Sequence, residues 1–143
     1  MANAKILTDS GFWIALYTPE DIYLHPKAMT MVEDLENNDV LIPWPTLYEF
    51  VNTRLAKRKE NLYAFEQFLL KPNVRRISDD IYKDQALQNV FQLNISHIAS
   101  ISLIDEVLRQ MILDRNLHID YLITFNRKDF EYPCQSANII IID

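Results

Sequence analysis

Short apolar stretches alternate with segments of helical periodicity along this chain, and that alternation restricts the fold more than any other feature. Five stretches are predicted as strands: residues 5–8, 40–43, 74–77, 121–124 and 139–142. Most of them are continuously apolar, which is typical of strands buried on both faces. Strands interleaved with helices favour a parallel sheet. The sequence therefore predicts an α/β fold, a three-layer sandwich around a mainly parallel central sheet.

Length and composition indicate a single domain over residues 1–143, because a chain of this length can bury one core but is short for two. The hydrophobic fraction of 49% and the charged fraction of 24% are ordinary for globular proteins. No apolar run approaches the roughly 18 residues of a membrane span, and no signal-peptide layout is visible. We expect a soluble, cytoplasmic protein with no membrane association. The single cysteine, Cys134, can form no intrachain disulfide.

Gly11 is the only glycine, and this count excludes several common motifs. A P-loop and a GxSxG nucleophile elbow each need two glycines, and the dinucleotide-binding fingerprint needs three. The formal net charge of -6 argues against nonspecific nucleic-acid binding, because such affinity comes from neutralising phosphates. It remains compatible with an enzyme that meets phosphates through metal ions.

Helix starts are predicted in two places where prolines occur. Thr18 to Asp21 has the pattern of a helix start, with Pro19 at the first helical position. Pro43 and Pro45 predict an extended link before the next helix. A third start is predicted at residues 78–80.

Four acidic residues are predicted to gather where strands end and helices begin. They lie at the end of the first strand, in the first turn of the helix after the second, in the first turn of helix 101–115 and after the fourth strand: Asp9, Glu49, Asp105 and Asp129. In open α/β sheets, ligands bind beyond the carboxyl ends of the strands. Carboxylates that gather there repel each other unless a cation lies between them. Oxygen-only ligands suit Mg²⁺ or Mn²⁺.

Each acid also fits a purely structural role, because acids are favoured at helix starts. Asp9 has the side chain of a helix cap. Three pairs have the spacing of a capping box: Thr46 with Glu49, Ser102 with Asp105, and Asn126 with Asp129. This interpretation predicts that Asp9→Asn alters stability modestly and leaves any metal response unchanged.

A helical wheel separates two neighbouring acids of the 101–115 helix. Asp105 falls at the edge of the apolar arc, so it is expected to reach a site beside the core. Glu106 points away from that arc and is expected to be solvated. The same test does not favour Glu49, whose assignment rests on its position after the second strand.

Five short motifs follow one another along the chain: residues 6–10, 25–28, 45–49, 102–105 and 124–130. In motif order, length and acid spacing, nearly the whole chain resembles the PIN-domain ribonucleases, particularly the VapC-like toxins of bacterial and archaeal toxin–antitoxin pairs. The resemblance implies a Mg²⁺-dependent endoribonuclease, with Mn²⁺ as a second usable metal, that hydrolyses RNA phosphodiester bonds. It also implies a cognate antitoxin over the acidic pocket and a homodimer.

The resemblance assigns roles to individual residues of this chain. Asp9, Glu49, Asp105 and Asp129 are the expected metal-binding, catalytic acids. Hydrogen bonds that support these acids are expected from Ser10, Thr124 and Asn126. Contacts with RNA phosphates are expected from Arg127 and Lys128. Asn126 stands where many relatives have aspartate. That departure leaves open whether Asp129 ligates, whether Asn126 holds a water, and whether one metal or two bind.

Two rival functions stay open at this point. The first is an inactive PIN-like module that binds RNA or a protein partner, and the Asn126 departure supports it. The second is a phosphatase of the haloacid dehalogenase kind, which needs an aspartate two residues after the first, where Gly11 stands. The apolar side chains of residues 46–70 fit either a dimer interface or the core.

Overall fold

A five-stranded parallel sheet forms the centre of the molecule, with helices on both of its faces. The computed structural model describes residues 3–143, so residues 1–2 of the predicted domain lie outside the described part. The elements in chain order are β1 (Lys5–Thr8), α1 (Ser10–Leu16), α2 (Leu24–Asn37), β2 (Asp39–Pro43), α3 (Trp44–Val51), α4 (Lys59–Leu69), β3 (Val74–Ile77), α5 (Lys83–Ile95), α6 (Leu103–Leu113), β4 (Tyr121–Ile123), α7 (Arg127–Ala137) and β5 (Ile140–Ile142). Short 3₁₀ turns occupy Leu55–Lys57 and Arg115–Leu117.

The sheet has the strand order β3-β2-β1-β4-β5, and every neighbouring pair is parallel. In the central register Leu7 lies opposite Leu41 on one side and Leu122 on the other. The predicted parallel sheet is confirmed. Because all five strands run the same way, their carboxyl ends share one edge, and the segments after β1, β2 and β4 emerge there together.

Neighbouring residues of β1 point to opposite faces of the sheet and belong to separate hydrophobic clusters. Ile6 packs with apolar side chains of α1, α2, α3 and α4. Leu7 packs with apolar side chains of α5, α6 and α7. The continuous apolar pattern of the strands therefore reflects helices on both faces, and the three-layer prediction is confirmed. Within residues 3–143, no helix is both long and apolar enough to cross a membrane.

The predicted helix start at Thr18 to Asp21 is wrong, because α2 begins at Leu24. The Asp21 carboxylate accepts hydrogen bonds from the backbone N–H groups of Tyr23, at 3.1 Å, and Leu24, at 2.9 Å. Asp21 thus satisfies donors that a helix start would leave open, and residues 18–23 form turns ahead of the helix.

The extended link predicted through Pro43 and Pro45 is also wrong. The helix α3 begins at Trp44, immediately after β2, with Pro45 in its first turn. Proline is tolerated there because the first N–H groups of a helix have no partner within the helix. Glu49 therefore lies in the second turn of α3 rather than in the first. The start predicted at residues 78–80 is likewise early, since α5 begins at Lys83.

Candidate active site

Asp9 anchors the candidate site at the carboxyl end of β1. Its side chain is 6% exposed and caps α1 by accepting a 2.8 Å hydrogen bond from the backbone N–H of Ser10. The other carboxylate oxygen accepts a 2.9 Å hydrogen bond from the Thr124 hydroxyl. The structural role considered for Asp9 as a cap is therefore real, and the carboxylate is held rigidly where the strand ends.

Thr124 connects Asp9 to the loop after β4. Its Oγ1 donates to Asp9 and accepts the backbone N–H of Asn126 at 3.0 Å. Thr124 is fully buried, and its hydrogen bond to Asp9 is buried as well, whereas the one from Asn126 is partly buried. One hydroxyl thus fixes the positions of two of the segments that carry the acids.

Thr124→Val keeps the shape of the side chain and removes both hydrogen bonds. We expect a loss of about 1–3 kcal/mol in the free energy of unfolding, because a buried carboxylate oxygen and a partly buried N–H lose their partner. Urea denaturation measures the loss. Thr30→Val, an exposed threonine on α2, is the matched control and should change stability by less than about 0.5 kcal/mol. Equal losses in the two variants would contradict the assigned role of Thr124.

Glu49 comes to the site from α3 and meets Ser10. The Ser10 hydroxyl donates a hydrogen bond to Glu49 Oε1. The capping box considered for Thr46 and Glu49 is not formed, because α3 starts earlier and the Thr46 hydroxyl donates to the Thr8 carbonyl at 3.0 Å. Glu49 is exposed, so its carboxylate is directed by Ser10 and remains open to solvent.

Asp105 lies in the first turn of α6, with Ser102 as the helix cap. The Ser102 hydroxyl accepts the Asp105 backbone N–H at 3.1 Å. This contact is the backbone half of the predicted capping box and leaves the Asp105 carboxylate free to face the other acids. Asp105 is half-buried, as the helical wheel predicts.

The expectation for Glu106 is wrong, because its side chain is only 5% exposed. The side of α6 that a wheel marks as solvent-facing packs against α5. Glu106 Oε1 lies 3.4 Å from Asn89 Nδ2 on α5 and 3.5 Å from Gln110 Nε2, while Oε2 has no hydrogen-bond partner among the described residues. Glu106 belongs to the α5–α6 contact.

Asp129 completes the group from the first turn of α7. Its Oδ2 accepts a 2.6 Å hydrogen bond from the Asn126 amide, and its backbone carbonyl accepts a 2.9 Å hydrogen bond from Arg109 Nε. Arg109 lies one helical turn after Asp105 on α6. This arginine therefore joins the two helices whose first turns carry Asp105 and Asp129.

Burial and the charges of neighbouring acids raise the pKa values of Asp105 and Asp9. Partial burial raises the pKa of Asp105 to about 6, and the charges of Asp9, Asp129 and Glu49 add to that rise against a smaller opposing effect of the Ser102 hydrogen bond. Burial also raises the pKa of Asp9, with a contribution from Glu49, while hydrogen bonds from Thr124 and Ser10 oppose the rise. The pKa values of Asp9 and Asp105 are therefore raised in part by neighbouring carboxylates, and a cation between such carboxylates would relieve the repulsion.

Asp105→Asn tests this coupling through stability. The pKa of Asp105 is about 6 in the folded state against an ordinary 3.8, so protonation favours the native state. That contribution is complete below about pH 3.8 and is lost as the pH rises through 6. Asp105→Asn should therefore raise stability relative to wild type at pH 7.5, and by less at pH 4. After a discount for solvent screening we expect about 1 kcal/mol, or roughly 2–4 °C in Tm.

Thermal melts in chelator at both pH values measure this effect. Asp34→Asn, which removes an exposed carboxylate from α2, is the control and should show no such pH-dependent gain. A gain for Asp105→Asn that is as large at pH 4 as at pH 7.5 would show that the coupling is not its cause.

The donor chemistry of the group suits a hard divalent cation, because all four side chains offer only oxygen atoms. Within residues 3–143, however, no three His, Cys, Asp or Glu side chains converge closely enough to hold a metal ion as they stand. Mg²⁺ usually keeps several waters and binds through one or two carboxylates together with substrate phosphates. The open arrangement therefore fits Mg²⁺ shared with a substrate better than a closed protein cage.

The two predicted phosphate contacts have different surroundings. Arg127 Nε donates to Asp143 Oδ2 at 2.8 Å, and one of its terminal nitrogens lies 3.2 Å from Asp143 Oδ1. This pairing lowers the pKa of Asp143. Lys128 is exposed at the start of α7.

Several buried polar contacts behind the site escape a reading of the sequence. Trp13 Nε1 donates to Thr8 Oγ1 at 3.1 Å, and Thr8 Oγ1 donates to the Leu41 carbonyl at 3.2 Å. Thr46 donates to the Thr8 carbonyl from α3. The sequence feature that could have identified Thr8 and Thr46 is a hydroxyl side chain within an apolar strand or at an apolar helix start. For Arg109, the corresponding feature is its position four residues after Asp105, on the same side of α6.

Solved structures resemble this fold, although neither protein-family models nor curated proteins match the sequence. VapC20 of Mycobacterium tuberculosis, described as a Sarcin-Ricin loop cleaving toxin, is 19% identical with a TM-score of 0.63, over 89% of this chain and 94% of that one. The chain has the VapC-like PIN-domain fold. VapBC2 from Rickettsia felis, solved with a DNA fragment from its promoter, is 15% identical with a TM-score of 0.57 over 96% of this chain and 97% of that one. FitAcB from Neisseria gonorrhoeae gives the same identity and TM-score over 96% of each chain.

Proposed function

We propose that this protein is a metal-dependent endoribonuclease that hydrolyses RNA phosphodiester bonds, and that it acts as the toxin of a toxin–antitoxin pair. The observation that carries the proposal is the position of Asp9, Glu49 and Asp129 near Asp105 at the carboxyl edge of a VapC-like sheet, where their charges help to raise the pKa of Asp105. VapC20 is described as cleaving the sarcin–ricin loop, which supports RNA as the substrate class. The proposed enzyme is a single domain spanning residues 1–143.

Asp9, Glu49 and Asp105 would hold the metal, with Asp129 completing the set. A bound Mg²⁺ or Mn²⁺ would make water more acidic and offset negative charge on the scissile phosphate. The donor set admits one ion or two.

The chain's own residues orient these acids. The Ser10 N–H and the Thr124 hydroxyl hold both oxygens of Asp9, so its free lone pairs keep a fixed direction. The Ser10 hydroxyl directs Glu49, and the Asn126 amide directs Asp129. Hydrogen bonds of this kind around ligating carboxylates typically change metal affinity or activity by about 10- to 100-fold when they are removed. Asn126 thus has a supporting role in this proposal, while Asp129 is the ligand.

The partners follow from charge and from the resemblance. A cognate antitoxin would cover the acidic pocket and insert a basic side chain among the carboxylates. Lys128, and Arg127 once released from Asp143, would meet RNA phosphates at the start of α7. We also propose a homodimer; sedimentation at micromolar concentration that shows only monomer would count against it.

A second candidate function is an inactive module that binds RNA or a protein without cleaving it. The observations in its favour are an amide at Asn126, where an acid would add a ligand, and the lack of a closed three-ligand group within residues 3–143. It differs from the nuclease in one measurable respect: it would bind RNA or a partner and leave RNA uncut in every metal.

RNA cleavage in Mg²⁺, in Mn²⁺ and in chelator tests the proposed function, together with calorimetric metal titration of wild type, Asp9→Asn and Asp105→Asn. Metal-dependent cleavage that is lost in both variants supports the nuclease. An absence of cleavage, combined with no metal binding that depends on these two acids, would favour the binding module.

A further inference from the structure

We propose that α3 and the basic turn after it form a binding surface for single-stranded RNA. The surface consists of the exposed rings of Trp44 and Tyr48 and the cationic side chains of Arg54, Lys57, Arg58 and Lys59. The choice of RNA as the ligand rests on the proposed function. Single-stranded nucleic acids bind to surfaces that combine aromatic rings, on which bases stack, with cations that follow the backbone.

Trp44 and Tyr48 provide the aromatic half of this surface. They lie four residues apart on α3, which places their side chains on one face of the helix. Trp44 is 38% exposed and Tyr48 is 55% exposed, and their ring centroids are 5.8 Å apart at an angle of 38°. Trp13, in contrast, is fully buried, so exposure of Trp44 is not a general feature of tryptophan in this fold.

The basic half follows α3 directly. Four of the six residues from 54 to 59 are Lys or Arg, whereas the whole chain has 14 such residues among 143 and a net charge of -6. All four are exposed. Arg58 Nη1 lies 3.9 Å from Glu20 Oε1, which is a weak surface pair between two exposed side chains. The positive charge of this turn is therefore available to an anion.

The position of the surface connects it to the acids. Glu49 follows Tyr48 on α3 and accepts a hydrogen bond from the Ser10 hydroxyl. Arg54 follows Glu49 by five positions, so their Cα atoms lie at most about 18 Å apart at about 3.6 Å per residue. The Thr53 N–H donates to the Phe50 carbonyl at 3.1 Å, and this turn shortens the path further. A strand of RNA seated on the surface would therefore reach the carboxylates within a few nucleotides.

RNA binding without metal tests the inference independently of cleavage. The probe is a fluorescein-labelled, mixed-sequence single-stranded RNA of about 12 nucleotides, a length that one such surface accommodates. Fluorescence anisotropy in chelator, at several salt concentrations, gives Kd and its salt dependence. The charge variant is Lys57→Gln with Arg58→Gln and Lys59→Gln. Its matched control removes three exposed cations elsewhere: Lys71→Gln, Arg75→Gln and Arg76→Gln.

The charge variant should bind at least about tenfold more weakly than the control. The slope of log K against log salt should fall by about 2, since each lost phosphate contact of a single strand contributes about 0.7. Trp44→Ala with Tyr48→Ala should also weaken binding by roughly tenfold or more, while Trp44→Phe with Tyr48→Phe should restore most of it, because stacking needs only the ring face. Circular dichroism melts show whether each variant is folded.

Three outcomes would overturn the inference: no RNA binding by wild type, equal Kd and salt slope for the two charge variants, or unchanged Kd after loss of both rings. In the last case, a smaller sedimentation coefficient of the ring variant would assign the α3 face to contact between copies of the chain. Failure of the proposed function looks different. Wild type would then bind RNA through this surface and leave it uncut in every metal.

Discussion

Asp9→Asn is expected to lower the rate of RNA cleavage by about a thousand-fold, which corresponds to roughly 4 kcal/mol of transition-state stabilisation. Asparagine keeps the shape of the side chain and is as good a helix cap as aspartate, so α1 should still begin at Ser10. The variant loses a negative charge that would hold a divalent cation among the carboxylates of the site. Single-turnover cleavage of a responsive RNA measures the change.

Asp34→Asn is the control for this prediction, because it makes the same chemical change at an exposed position of α2. Asp34 lies near the opposite edge of the sheet: its carbonyl accepts a hydrogen bond from Asn38, whose side chain in turn accepts the Ala4 N–H just before β1. The control should cleave within about twofold of wild type. Cleavage by Asp9→Asn at a comparable rate would mean that Asp9 is only a helix cap.

Trp13→Ala is expected to lower the free energy of unfolding by about 3–5 kcal/mol, the usual cost of removing a fully buried tryptophan. The Trp13 ring packs edge-on against Phe12, Phe65 and Phe68, with centroids 4.9–5.1 Å apart. Its indole N–H also donates to Thr8 Oγ1. The substitution removes these ring contacts and leaves a cavity between β1 and α4. Urea denaturation followed by circular dichroism measures the loss.

Trp44→Ala offers a matched control, since it makes the same chemical change on the exposed side of α3. We expect a loss below about 1 kcal/mol, because its ring pairs with Tyr48 at the surface and is 38% exposed, whereas Trp13 is fully buried. Similar losses in the two variants would contradict the division of the two tryptophans between core and surface.

The fold and the general position of the acids could be predicted because they depend on local patterns. Continuous apolar strands such as β1 need cover on both faces, and helices between them require parallel pairing. Once the strands are parallel, acids that follow β1 and β4 must emerge at the same edge. Asp105 could be placed as well, because Ser102 marks the start of α6 and the wheel of that helix is strongly amphipathic.

Three features of the site could not be predicted, two of them because they depend on contacts between distant segments. Glu106 is buried because α5 packs over it, and nothing in the sequence of α6 predicts that neighbour. Glu49 lies in the second turn of α3 rather than in the predicted first turn. The proline pair that suggested an extended link is also compatible with a first helical turn. Arg109 reaches the Asp129 carbonyl across two helices. For Glu106 and Arg109, tertiary packing decides the outcome; for Glu49, the local sequence was compatible with two structures.

The most direct test of the central claim is the metal dependence of cleavage by the wild-type protein. A mixed pool of structured RNAs is incubated with the protein in Mg²⁺, in Mn²⁺ and in excess chelator, and metal is then returned to the chelated sample. We expect cleavage with either metal, none in chelator, and recovery when metal is restored. Cleavage that continues at the same rate in chelator would contradict the claim that the carboxylates at the edge of the sheet act through a bound divalent cation.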